Sequence, residues 1–298
     1  MFVLRASLYS TAAPRRIALT GGWKTGHIMV KSDIYSFREA DYPLLVSIPH
    51  NGLAIPEEIS ATMTEVGKSS RDTDWFLDRL YDFDVTNDVG MIASHYSRYV
   101  IDLNRDANAP SNQSLYPGQN TTGLFPKITF DQRPVYQAGK EPDTDERRRR
   151  IEKFWHPYHD QLKSELKRMR AKFGIAILFE AHSIESELPY LFEGVLPDLN
   201  FGTNSGKSCS VGMTDVIKST LPEAGYSHAF NGRFIGGFIT RRYANPTDGI
   251  HSIQLELSQA TYMDQLTKKW LPDKAAAVQP VLRSVILAIR RWIDEQRK

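Results

Sequence analysis

The chain has 298 residues, with 37 Lys and Arg against 35 Asp and Glu, a formal net charge of +2. That balance gives no general electrostatic case for a nucleic-acid partner, and no apolar run approaches the roughly 18 residues of a membrane span. One cysteine, Cys209, excludes a disulfide framework and suits a reducing compartment.

Residues 1–32 contain Arg5, Arg15, Arg16, Lys24 and Lys31, no acidic residue, and much Ser, Thr and Ala. Two readings fit: a mitochondrial transit peptide, or an upstream start with Met29 opening the protein proper. We therefore set 1–32 apart as an extension and expect 33–298 to form a single α/β domain. The expected compartment is the cytoplasm, or the mitochondrion if the extension is a transit peptide.

From Pro43 an apolar run, Leu44 to Pro49, reads as a strand delivering His50, followed by Asn51-Gly52. Glu57 and Glu58 after Pro56 mark a short helix start. Asp72 to Tyr81 reads as a helix with one apolar stripe, entered through an acidic cap at Asp72. Asp74, at the same mouth, is either a second cap or a metal ligand. Val89 to Ala93 and Tyr99 to Leu103 read as adjacent strands. The second ends in Asp102-Leu103-Asn104-Arg105-Asp106, where Arg105 pairs with a neighbouring aspartate or clamps a substrate carboxylate with its planar fork. Residues 107–142, rich in Pro and Gly, form a long loop whose aromatics, Tyr116, Phe125, Phe130 and Tyr136, argue for an ordered flap.

Residues 144–173 carry Ile151, Phe154, Trp155, Tyr158, Leu162, Leu166, Met169 and Phe173 at helical spacing, closed by Gly174 and bent or restarted at Pro157. Arg147 to Arg150 follow Asp143, Asp145 and Glu146 and read as a solvated helix face. His156 and His159 are three apart, with no third metal ligand nearby. Ile175 to Ser183 is a buried run of the parallel-sheet kind, ending on Glu180, His182 and Ser183. Open α/β sheets bind ligands outside the carboxyl ends of their strands. A histidine there can equally be a core residue with satisfied nitrogens; the repeat of the pattern at His50, and the carboxylate Glu256 on the strand Ile250 to Leu257, favours a site. Between them, Gly194 to Gly212 reads as a loop, Thr214 to Leu221 as a helix, and Asn231 to Arg241 as a Gly-rich ligand loop with Arg233 and Arg241. Leu282, Val285, Ile286, Ile289 and Ile293 mark a final helix packed on the sheet.

Zinc in hydrolases takes three protein ligands from His and carboxylate and keeps a fourth position open. His50, Asp74 and His182 supply that set, with Asp72 as the competing carboxylate; Co²⁺ or Fe²⁺ suits the same donors. Glu256 is then the carboxylate that takes a proton from water and passes it to the leaving nitrogen. Ser183 lacks the G-x-S-x-G elbow of a serine nucleophile.

Seven stretches, Ser47-Ile48-Pro49-His50-Asn51-Gly52, Asp72-Thr73-Asp74-Trp75, Arg98 to Asp106, Leu115 to Asn120, Ala181-His182-Ser183-Ile184, Leu196-Pro197-Asp198, and Asn231 to Phe234 with Gly236 to Arg241, together resemble the N-formylglutamate deformylase (amidohydrolase) family. The resemblance implies hydrolysis of N-formyl-L-glutamate to formate and L-glutamate in histidine degradation, and kinship with zinc carboxypeptidases. It implies a three-layer α/β/α fold with a mostly parallel mixed sheet, metal ligands His50, Asp74 and His182, and catalytic Glu256. Arg105, with Asn104, Ser183, Arg233 and Arg241, would meet a small-molecule substrate, with no nucleic-acid or membrane partner. Two departures stand out: Glu180 replaces the family's usual aspartate, and Leu53 stands three residues after His50, where the carboxypeptidases place a carboxylate ligand. The competing readings are another metal-dependent N-acyl amino-acid hydrolase, a small carboxypeptidase, or a dicarboxylate-binding protein that has lost catalysis.

Overall fold

Short strands buried along nearly their whole length are covered on both faces, and four of them form the centre of this fold. The structure is a computed structural model describing residues 29–109, 122–221 and 225–298. Among these, eight strands form one sheet: β1 (Met29–Lys31), β2 (Tyr35–Arg38), β3 (Leu44–Ile48), β4 (Gly90–Ser94), β5 (Ala176–Ile184), β6 (Leu199–Gly202), β7 (His228–Phe230) and β8 (Ile250–Ser258). Their order is β1-β2-β4-β3-β5-β8-β6-β7. The central β4, β3, β5 and β8 are mutually parallel, while β2 joins β4 and β6 joins β8 antiparallel. The sheet is therefore mixed but parallel where it matters.

Helices cover both faces. Three one-turn helices, α1 (Glu57–Ser60), α2 (Glu65–Lys68) and α3 (Leu77–Leu80), precede β4. Then come α4 (Thr144–Arg150), α5 (His156–Phe173), α6 (Val211–Lys218), α7 (Phe238–Tyr243) and α8 (Pro272–Gln296). Strand side chains alternate between layers. Leu44, Val46, Ile48, Ile177, Phe179, Ala181, Ile253, Leu255 and Leu257 pack with Leu282, Val285, Ile286, Ile289 and Ile293 of α8. Leu45, Ala176 and Leu178 face the other way, onto Tyr158, Leu162, Leu166 and Met169 of α5. The architecture is three-layer α/β/α. Each fully buried Leu, Ile or Val contributes roughly 1.5–3 kcal/mol of transfer free energy, so two such layers hold the central strands rigid.

Several elements differ from the sequence-based expectation. Tyr99 to Leu103 forms no strand; it is an irregular buried segment, because its groups bond to side chains and loops rather than to a neighbouring strand. Asp72 to Phe76 is not helical, and only α3 remains of the expected helix, since Phe76 takes a left-handed conformation (φ 61°) that blocks an earlier start. The long helix restarts at Pro157 as expected, the proline lying in the first turn of α5; what was not expected is the wide π-turn at Ile151–Trp155 just before it. Arg150 leaves the expected solvated face and is buried, bonding Glu146, the Val100 carbonyl and Tyr136. Met29–Lys31, assigned to the extension, pairs with β2 at the sheet edge. The loop expected over 194–212 contains β6. The Leu115 to Asn120 motif and residues 1–28 lie outside the described residues.

Candidate active site

Parity along the strands builds the site. Leu178 faces α5, so Glu180 and His182, two and four residues further along β5, face the same layer. The parallel register sets His182 beside Glu256 and Glu180 beside Gln254. His50 follows the carboxyl end of the other neighbouring strand, β3. All of these residues are buried.

Asp74 arrives from the loop before α3. Its N–H donates to the His50 carbonyl (3.0 Å), and its flanks are tied by Gln259 to the Thr73 carbonyl (3.0 Å) and by Tyr262 to the Trp75 carbonyl (2.9 Å). Asp74 Oδ2 lies 2.9 Å from His182 Nδ1 and 3.6 Å from His50 Nδ1. One ligand atom from each of His50, Asp74 and His182 falls within 4.8 Å of the others. The outer nitrogens are also engaged. His50 Nε2 lies 2.8 Å from Asp102 Oδ1, and His182 Nε2 lies 3.1 Å from Asn104 Nδ2 and 3.4 Å from Glu180 Oε2. Two inward imidazole nitrogens and one carboxylate, with the Asp102 and Glu180 carboxylates beside the outer nitrogens, fit a divalent cation of the zinc type.

The electrostatics follow from burial and pairing. Burial would lower the His182 imidazole, but Asp74 and Glu180 outweigh it and lift it to about 10. Asp74 is the converse: burial raises it, yet His182, His50 and the Arg98 charge hold it well below the usual carboxylate range. Asp102 is held low too, by His50, Arg105 and Arg98 against its own burial. Burial dominates at Glu256 and raises its carboxyl to about 7. The Glu180 side chain is fully buried, with no hydrogen bond to either carboxylate oxygen. Its Oε2 stands in ion-pair range of His182 Nε2, at 3.4 Å.

A cavity of about 60 Å³ opens on this cluster, lined among others by Arg98, Arg105, Phe130, Arg233, Gln254 and Glu256. Ser183 lines it as well, with its hydroxyl 2.7 Å from Tyr262 Oη. Asn104 lines it, but both ends of its amide are engaged inside the protein: Oδ1 accepts from Ile239 N (2.8 Å) and Nδ2 faces His182. Arg105 donates Nε to the Thr122 carbonyl (2.7 Å), and Arg233 donates Nε to the Leu191 carbonyl (2.7 Å). Arg241, expected at the substrate, is not among the cavity-lining residues; α7 carries it one turn beyond Gly237, where its Nε donates to the Gly236 carbonyl (2.9 Å). Asp72 stands apart from the cluster, its Oδ2 accepting from Phe130 N (2.7 Å).

Three residues at the site were not singled out from the sequence. Arg98 is buried, contacts His50 Nδ1 through Nη2, and lies 5.1 Å from the Phe130 ring centre. Asp102 bonds His50. Gln254 accepts from Gly237 N (2.7 Å) and reaches Glu256 Oε2 at 3.5 Å. Period-two alternation from Glu256 would have found Gln254; no local signal marks the other two.

An α/β/α sheet with paired histidines and a glutamate at its carboxyl edge, and arginines around the cavity, defines an amidohydrolase-type site. The family model for N-formylglutamate amidohydrolase matches residues 42–263. The chain is 43% identical over 266 residues to the N-formylglutamate deformylase of Pseudomonas aeruginosa, covering 89% of this chain and 98% of that one. It is 42% identical to the enzyme of the same name from Pseudomonas putida over 265 residues, covering 88% and 98%. The N-formylglutamate amidohydrolase structure from Ralstonia eutropha JMP134 superposes with a TM-score of 0.72 at 23% identity, covering 88% of this chain and 97% of that one, and so shares the fold. The chain belongs to the N-formylglutamate amidohydrolase family.

Proposed function

We propose that the chain hydrolyses the formamide bond of N-formyl-L-glutamate to formate and L-glutamate, in a reaction that depends on a divalent cation, with zinc the expected ion. The observation that carries this reading is the convergence on one cavity of the His50, Asp74 and His182 cluster, the Glu256 carboxylate and three arginines. Two relatives more than 40% identical bear the name N-formylglutamate deformylase, which supports the substrate. We assign the reaction to the last step of a histidine-degradation route.

His50 Nδ1, an Asp74 oxygen and His182 Nδ1 would hold the ion, which when bound supplies a Lewis acid for the formyl carbonyl and acidifies water. Glu256 takes the proton from the attacking water and returns it to the departing amino nitrogen. A carboxyl raised toward neutrality is suited to both transfers. Arg98 faces the same space and steadies negative charge growing on the formyl oxygen. Arg105 and Arg233 receive the two substrate carboxylates, while Phe130 and Phe234 wall the cavity from bulk water.

The test is formate release from N-formyl-L-glutamate by the zinc-loaded protein beside its Glu256→Gln variant. The variant should lose about 10²–10⁴-fold in kcat with zinc content unchanged. A variant within a few-fold of the parent would remove Glu256 from the chemistry. Absence of formate from folded, zinc-loaded parent protein would remove the substrate.

A further inference from the structure

The segment Tyr99 to Arg105 carries three side chains of the site, Asp102, Asn104 and Arg105, yet belongs to no strand or helix. Val100, Asp102, Leu103 and Asn104 are all buried. Buried carbonyls without sheet partners must be satisfied some other way. Here one long helix does it with side chains. Arg150 Nη1 donates to the Val100 carbonyl (3.2 Å), His159 Nε2 to the Leu103 carbonyl (2.8 Å), and Trp155 Nε1 to the Arg105 carbonyl (2.9 Å).

The π-turn explains how one helix reaches all three. In an unbroken α-helix, residues 150 and 155 would point about 140° apart, given 3.6 residues per turn. The i→i+5 bonding of the wide turn at Ile151–Trp155 puts an extra residue into that turn and so narrows the angle between them. Trp155 stacks on His159 with ring centres 3.7 Å apart, and His159 Nδ1 accepts from Tyr243 Oη at 2.8 Å. Tyr243 lies on α7, the helix whose Ile239 N–H holds Asn104 Oδ1. Asn104 is thus gripped from both directions.

We propose that Trp155 and His159 are positioning residues of the active site, fixing the backbone of Leu103 and Arg105 so that the Asn104 side chain keeps its place against the His182 ring and Arg105 presents its guanidinium to the substrate. The substrate half of this claim rests on the function proposed above. The metal half rests only on the cation site proposed there, whatever the substrate.

The experiment compares Trp155→Phe, His159→Phe and His159→Gln with the parent protein. Three quantities are read: KM and kcat for N-formyl-L-glutamate, Zn²⁺ affinity by competition with a chromogenic chelator, and Tm. Trp155→Phe keeps the ring stack but removes the N–H, and should raise KM about tenfold with a smaller change in kcat. His159→Phe should weaken Zn²⁺ about tenfold, the lower end of what loss of a ligand-orienting contact costs. His159→Gln, whose amide can still donate to Leu103, should recover part of that loss. Variants that fold with KM and Zn²⁺ affinity within twofold of the parent, and differ only in Tm, overturn the proposal. Should His159→Phe not fold, Trp155→Phe decides alone. A parent that binds Zn²⁺ but releases no formate overturns the proposed substrate and leaves the affinity series to decide the positioning claim. A parent that does neither overturns both.

Discussion

His50 Nε2 lies 2.8 Å from Oδ1 of Asp102, a carboxylate with 0% exposure. That bond assigns the tautomer: Nε2 carries the proton toward Asp102, and Nδ1 turns inward, to Asp74 and the Arg98 guanidinium. The negative charge of Asp102 also makes Nδ1 a better donor to a cation. Asp102→Asn keeps an acceptor for Nε2 but removes the charge, so Zn²⁺ affinity should fall about tenfold while the fold is retained. Chelator competition on the parent and variant proteins measures this, and equal affinities would show that the charge contributes nothing.

Asp72 and Asp74 are two residues apart and do different work. Asp74 meets both histidines, whereas Asp72 takes the Phe130 N–H and anchors the segment that brings Phe130 to the cavity. Asp74→Asn should therefore lose Zn²⁺ on dialysis, with at least a hundredfold weaker affinity than the parent, as expected for a ligand rather than an orienting group. Asp72→Asn should keep its metal and change KM instead. Metal analysis after dialysis separates the two, and the opposite pattern would transfer the ligand role to Asp72.

Gly237 opens α7 with an ordinary φ of −78°, so it is required for space and not for conformational freedom. A Cβ there would stand 2.7 Å from Asn104 Cγ and 2.6 Å from its Oδ1. Gly237→Ala must push away the Asn104 amide that lies against His182, at a cost of roughly 1–3 kcal/mol for overpacking. Activity should fall about a hundredfold, since displacements near 1 Å at a site cost that much. Gly174→Ala is the control: its Cβ would meet open space, but its φ of 77° makes alanine strained, so it should lower Tm and leave kcat/KM unchanged. Equal activity losses in the two variants would show that the close approach to Asn104 is irrelevant.

What could be read from the chain was whatever depends on local pattern. His50, His182 and Glu256 stand at or near the ends of apolar runs, and a buried parallel strand announces both its length and its exit. The α8 stripe was equally plain. Tyr99 to Leu103 misled because its burial resembles a strand's, while its carbonyls are satisfied by helix side chains 50 or more residues away. Arg98 was hidden for a related reason. A buried guanidinium becomes reasonable only once Asp72, Asp74, Asp102 and Glu256 have come together around it from separate segments. The place of Arg241 was not legible either, since its Gly-rich approach suggested a loop, whereas it lies on α7 with Nε on the Gly236 carbonyl.

His159 should also make the protein's stability depend on pH. Only 3% exposed, the imidazole is lowered by burial to about 3, against a smaller opposing pull from the Leu103 carbonyl, while in the unfolded chain it titrates near its ordinary value of about 6.5. Between those values the unfolded state binds the proton and the folded state does not, so acid favours unfolding. The contribution is fully present above pH 6.5 and is lost as pH falls toward 3. From pH 7 to pH 5 it amounts to about 2 kcal/mol by linkage. Urea denaturation at the two pH values should show the parent losing about that much more stability than His159→Gln, which has no imidazole to protonate. His251, also lowered by burial, is common to both proteins and cancels in the comparison. Equal losses in parent and variant would mean that the His159 ring opens to water and takes up its proton without unfolding the chain.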